Sequence, residues 1–188
     1  MENHREENPR VIRTRKSIQN ALKELVLHGK PEDINVKKIT EIAGIHRKTF
    51  YLHYTCIEAL YEDIIQKIVS DYGNEVEKLN IPYDYYDLTK VMFEFYTKDP
   101  FREKMITDAR YQDFSTKIML INLMNNRSGY NPFEKYTEDE QELINIFLAS
   151  ASTDMFRQWV SSNKKVSMET VINLTGRLLE NGVSSMRN

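Results

Sequence analysis

Apolar residues recur at three- and four-residue spacing along nearly the whole chain. The runs open on capping residues and close on glycine or proline, and no stretch sustains a period-two alternation with turn chemistry. That pattern leaves helices to bury the apolar faces, so the expected fold is all-α. Asn8-Pro9 sets a cap residue before a proline at the first helical position; Val11, Ile18, Leu22 and Leu25 then share a face until Gly29 and Pro31 end the helix. Asn35 caps a short second helix with Val36, Ile39 and Ala43 inward, Gly44 is free to turn left-handed, and a third short helix starts near His46. Thr55 to Glu58 reads as a capping box for a long helix to about Leu79, ahead of Pro82, linking two modules.

Downstream, Asp87 is expected to cap a helix to about Lys98, Asp99-Pro100 to open the next, and Tyr111, Phe114, Ile118 and Ile121 to share one face of a further helix. A loop over 125–132 breaks the pattern. Thr137 to Glu140 is a second capping box, for a helix to about Asn163, and the last helix follows Ser167. No internal repeat or low-complexity segment is present, and residues 1–8 read as a disordered arm.

Dividing 188 residues by the ~150 of a common domain gives an expectation of one or two domains. Its longest uncharged run, Leu143 to Thr153, falls well short of the ~18 apolar residues of a membrane span. The charged N-terminus leads into no apolar leader, so the expected location is the cytoplasm. Cys56 is the single cysteine, which excludes an internal disulfide and a multi-cysteine metal site; His46, His53 and Cys56 are too few convergent ligands for a tetrahedral metal, and no metal or cofactor is expected. The net charge of −2 conceals a division: residues 1–60 carry 11 Lys/Arg against 8 Asp/Glu, the remainder 15 against 20. A small basic module, 9–55, is expected ahead of a larger acidic one, 56–188.

The basic module holds the most informative segment. Two short helices joined at Gly44 form a helix-turn-helix, whose second helix is narrow enough to enter the DNA major groove. Across His46 to Tyr54, Phe50 is expected to face inward while Arg47, Lys48, Thr49, Tyr51 and His53 point outward as donors to phosphates and bases. Ile39-Thr40-Glu41-Ile42-Ala43-Gly44-Ile45-His46-Arg47-Lys48-Thr49-Phe50-Tyr51-Leu52-His53-Tyr54 resembles the DNA-binding signature of TetR/AcrR-type transcriptional regulators, with the likeness extending over about residues 10–62. The resemblance implies phosphate contacts from Thr49, Tyr51 and His53, base readout from His46 to Lys48, and double-stranded DNA with a near-palindromic operator as partner. Tyr54 is grouped with these as a conservative variant. Thr40 stands where the family has an alanine, His46 where it has a capping serine, and Cys56-Ile57 where it has a polar cap and a phosphate-holding lysine; Lys37 and Lys38 are placed to compensate for that lysine.

Residues 83–136 contain 12 of the chain's 20 aromatics. The cluster fits an effector cavity, with Phe93, Tyr96, Tyr111, Phe114 and Trp159 around a small, partly apolar ligand, and fits a solid core equally well. Phe147 to Val160 is similar to the penultimate helix of a TetR subgroup that includes regulators of dihydroxyacetone metabolism. Its small residues, with Leu143, Phe147, Ala151, Val171, Leu174 and Leu178, form the expected homodimer interface across a two-fold four-helix contact. No nucleophile–base pair, phosphate-cradling loop or paired carboxylates can be recognised, so an enzyme is not expected. The reading is a homodimeric repressor released by an effector and nucleoid-associated when bound to DNA. The alternative is a TetR-like adaptor or co-activator working through protein contacts.

Overall fold

The computed structural model describes residues 8–107 and 131–184. Among these it is all-helical: α1 Pro9–His28, α2 Val36–Ala43, α3 Arg47–Tyr51, α4 Ile57–Val76, α5 Tyr85–Thr97, α6 Pro100–Thr107, α7 Glu138–Ser161 and α8 Met168–Ser184, with a 3-10 turn at Pro31–Asp33. The chain divides into two compact units, residues 1–64 and 65–188, with the division inside α4. The arm before Asn8, the helix expected around Tyr111 to Ile121 and most of the loop after it lie outside the described residues.

In the first unit the caps act as their chemistry dictates. Asn8 accepts from the Arg10 N–H (3.0 Å) with Pro9 at the first helical position, and Asn35 accepts from the Lys38 N–H (3.0 Å). Ile18, Ala21, Leu22 and Leu25 form the buried face of α1, against which α2 packs. Helix α4 starts at Ile57, so Glu58 takes its second position and not the third that a capping box with Thr55 requires; the Thr55 hydroxyl turns to the Cys56 sulfur, 3.9 Å away.

The second unit is built around α5, which packs on both α6 and α8. The cap of α5 is Asp84, not Asp87: its carboxylate accepts from the Asp87 N–H at 2.8 Å. The earlier start brings Tyr85 into a buried cluster with Phe133, Ile144, Leu148 and Leu179, and leaves Asp87 as an acid in the first turn, where the helix dipole favours it. The capping box of α7 forms in full, with the Thr137 hydroxyl accepting from the Glu140 N–H and the Glu140 carboxylate accepting from the Thr137 N–H at 2.9 Å.

At Gly176, α8 lies tightly against α5. A Cβ there would stand 2.9 Å from Tyr86 Cα and 3.2 Å from Tyr86 N, backbone atoms that cannot rotate away. Gly176→Ala is therefore expected to force the helices apart and destabilise the second unit by about 1–3 kcal/mol. Gly182→Ala, with nothing within 4 Å of the added carbon, should be neutral or mildly stabilising because alanine favours helix. Urea unfolding midpoints of the two variants test this directly, and equal midpoints would contradict the close approach.

Candidate nucleic-acid interface

Helix α2 buries Val36, Ile39 and Thr40. Thr40 accommodates its hydroxyl inside its own helix, donating to the Val36 and Lys37 carbonyls, each at 2.9 Å, so the buried polar group is satisfied where a smaller residue would need no partner. Gly44 takes the left-handed conformation (φ 66°) that ends α2, and the Ser17 hydroxyl of α1 donates to the Ala43 carbonyl (2.9 Å) beside the turn. The chain extends at His46 and enters α3, with the Thr49 N–H returning to the His46 carbonyl at 2.8 Å.

Phe50 anchors α3 and is fully buried, its ring edge-on to Tyr51 at 5.5 Å and tilted to Tyr54 at 5.9 Å. The opposite face presents His46, Arg47, Lys48 and Tyr51 to solvent, with Thr49 and His53 half-buried at its margins. The Arg47 guanidinium donates to the Tyr51 hydroxyl (3.4 Å) and lies over its ring at 5.9 Å, one turn apart on the same face. Lys37 and Lys38 are exposed in the first turn of α2. Leu52, which sequence reading passed over, is 77 % exposed just beyond α3. One short element thus displays a guanidinium, an ammonium and a phenol from a surface fixed by a single buried ring.

Tyr54, grouped with the outward residues from the sequence, is an interior group. It is 4 % exposed, and its hydroxyl donates to Asp63 Oδ2 at 2.6 Å. The same carboxylate accepts from Gln19 Nε2 (2.9 Å) and from Arg15 Nη2 (3.1 Å), and the Arg15 guanidinium lies 5.7 Å over the Tyr54 ring. Arg15, Gln19 and Asp63 were not singled out from the sequence. The available signal was Arg15 and Gln19 one turn apart on α1, beside its buried face.

Burial alone would raise the Asp63 carboxyl, but the hydrogen bonds from Tyr54 and Gln19 and the Arg15 charge outweigh it and hold the group below the ordinary carboxylate range. Burial, then the hydrogen bond to Asp63, pushes the Tyr54 phenol up. Because the folded-state value of Asp63 is depressed, its stabilising contribution is complete above the unfolded value near ~3.9 and is lost as pH falls through the lower folded value. Asp63→Asn is therefore expected to lower stability at neutral pH and to flatten the acid limb of the first unit's stability profile. An acid limb identical to that of the wild type would contradict the network.

In the second unit, Phe93, Tyr96 and Trp159 are buried and in mutual contact through Phe156. Phe93 meets Phe156 edge-on at 5.0 Å and Trp159 at 5.6 Å, while Tyr96 meets Phe156 at 5.9 Å. Tyr111 and Phe114 lie outside the described residues. Of the six residues expected at a dimer contact, Leu143, Phe147, Leu174 and Leu178 are exposed, Ala151 is half-buried, and Val171 is buried in this chain's own core. Val171 is thereby withdrawn from the contact. A groove of about 530 Å³ runs along α7 and α8, lined by Phe147, Ala151, Met155, Leu178 and Leu179 among others. Cys56 is exposed, and among the described residues no group of three His, Cys, Asp or Glu could hold a metal. No described helix is long and apolar enough to cross a membrane.

No family model and no curated protein sequence matches the chain, whereas solved structures match over nearly its whole length. The dihydroxyacetone kinase operon activator DhaS is 18 % identical at a TM-score of 0.58, covering 94 % of this chain and 99 % of its own. The fatty acid degradation regulator FadR from Bacillus halodurans is 17 % identical at 0.60, covering 93 % and 96 %. A TetR-family regulator from Shewanella sp. PV-4 is 12 % identical at 0.60, covering 90 % and 97 %. With its helix-turn-helix ahead of a larger helical unit, the chain has the fold of the TetR-family transcriptional regulators.

Proposed function

We propose that the protein is a sequence-specific DNA-binding transcription regulator acting as a homodimer. The observation that carries this reading is the left-handed turn at Gly44 followed by a helix that buries Phe50 and exposes Arg47, Lys48 and Tyr51. Arginine and lysine supply bidentate donors to guanine edges, tyrosine hydroxyls reach phosphate, and Lys37 and Lys38 add charge. His46, Thr49 and His53 complete the surface as donors. Module 9–55 is assigned to DNA, and the remainder to assembly and control. Repression by occupying the operator is the simplest output; activation, the output named for DhaS, would reverse the sign in a reporter assay without changing the interface.

A small, partly apolar effector at Phe93, Tyr96 and Trp159 is one proposed control. The mutual packing of those rings supports the second reading, in which the cluster is core and regulation passes through protein contacts, as in an adaptor or co-activator. The two differ in a thermal-shift screen of metabolites. A ligand that raises the melting temperature and lowers DNA affinity, with DNA lowering the ligand's affinity by the same factor, supports effector control, and its absence supports the adaptor. DNA binding itself is tested by titrating duplex at increasing salt. The logarithm of the affinity should fall linearly with log salt, at a slope set by the number of phosphates neutralised. Failure to bind duplex at low salt would remove the proposal.

A further inference from the structure

We infer that the Tyr54–Asp63 hydrogen bond sets the pose of the recognition helix, making Tyr54 and Asp63 positioning residues for base readout; this rests on the DNA-binding reading above. Helix α3 has five residues, far below the ~12–15 at which a helix holds itself in water, so its orientation must come from its flanks. Upstream, the Gly44 turn is tied to α1 by Ser17. From within, Phe50 anchors the helix by one buried ring and α2 packs beside it, a short contact that leaves rotation about the ring to be restrained by the flanks. Downstream, Tyr54 supplies that restraint: its N–H bonds the Phe50 carbonyl at 2.9 Å, and its hydroxyl reaches Asp63 at 2.6 Å.

Asp63 is itself held, because Gln19 and Arg15 occupy its carboxylate from one face of α1. The recognition helix is therefore anchored at its exit to a carboxylate fixed by a second helix. Tyr54 is buried behind Phe50 and acts through the residues it orients. Hydrogen bonds to base edges weaken steeply outside a narrow range of distance and angle, whereas long lysine side chains follow a phosphate through small displacements. Releasing the anchor should therefore damage specific binding and spare non-specific binding.

The test uses full-length Tyr54→Phe, which keeps the ring, and Asp63→Asn, each held at a temperature where circular dichroism shows it folded. The probes are a duplex recovered by the wild-type chain from a random-sequence pool and an unselected random duplex of equal length. Affinity for the recovered duplex should fall about ten- to a hundredfold in either variant. Affinity for the random duplex should stay within about twofold, with an unchanged salt slope. The double variant should be no weaker than the worse single one, since both act on one bond, phenylalanine by removing its donor and asparagine by replacing the carboxylate with a neutral, weaker acceptor. Equal losses on both probes would mean a merely structural role, and no loss on the recovered duplex would mean no role; either overturns the inference while leaving DNA binding intact. If the wild-type chain recovers no preferred sequence, the DNA-binding reading falls and the inference falls with it.

Discussion

Leu178→Asp is expected to give a monomer at micromolar concentration and to lower operator affinity by about 10²–10⁴-fold, the loss incurred when two linked sites become one. Leu143 and Phe147 lie one turn apart on α7 and are 67 % and 59 % exposed; Leu174 and Leu178 lie one turn apart on α8 at 51 % and 60 %. These helices pack on one another, so the four side chains belong to neighbouring surfaces beside an apolar groove. Single exposed leucines are ordinary in monomers, but two paired stripes on adjacent helices are what the proposed second copy would cover by two-fold symmetry. Covering each large side chain contributes about 1.5–3 kcal/mol, whereas a carboxylate there would be buried twice across the axis without a cation. Light scattering reads the outcome, with circular dichroism verifying that the variant remains helical. A dimeric Leu178→Asp, or a monomeric wild-type chain with and without DNA, would contradict this assembly.

Arg47→Ala should lower operator affinity by about 1–3 kcal/mol per half-site and relax the base preference at one position of each half-site, the signature of a lost bidentate contact. Tyr51→Phe should instead weaken all sequences alike, since a phenol on phosphate carries no base information. The two side chains touch through a 3.4 Å hydrogen bond and a ring contact. Removing the hydroxyl also frees the guanidinium from its turn-spaced partner, so the double variant should depart from the sum of the singles. A folded double variant with unchanged operator affinity would remove the recognition helix from the interface.

Elements defined by local chemistry were legible from the sequence alone. Asn8-Pro9, Asn35, Gly44, Asp99-Pro100 and the Thr137 to Glu140 box each act within one helical turn, and each stands where its chemistry puts it. The Thr55 to Glu58 box is the local exception, because the helix starts at Ile57 and leaves Glu58 one position short; elsewhere the sequence misleads where depth or a distant partner decides. Asp84 and Asp87 are equally good caps by type, and the choice between them was made by the burial of Tyr85. Tyr54 follows the last turn of α3, where periodicity no longer assigns a face, and its partner Asp63 belongs to the next helix. Along α8, apolar residues extend past one stripe: Val171, Ile172 and Leu179 turn inward while Leu174 and Leu178 turn outward, a division that spacing does not mark. The ring cluster shows the same limit, because spacing places aromatics together without stating whether they enclose space or fill it.

Whether the helix pair around Gly44 reads DNA sequence is decided by selecting bound fragments from a random duplex pool with the wild-type chain. Enrichment of a near-palindromic sequence is expected, with half-sites centred one helical turn apart, about 34–36 Å, and with the Arg47→Ala chain losing that enrichment at one base of each half. A pool that emerges with the composition it entered, or a motif recovered unchanged by Arg47→Ala, would contradict that expectation.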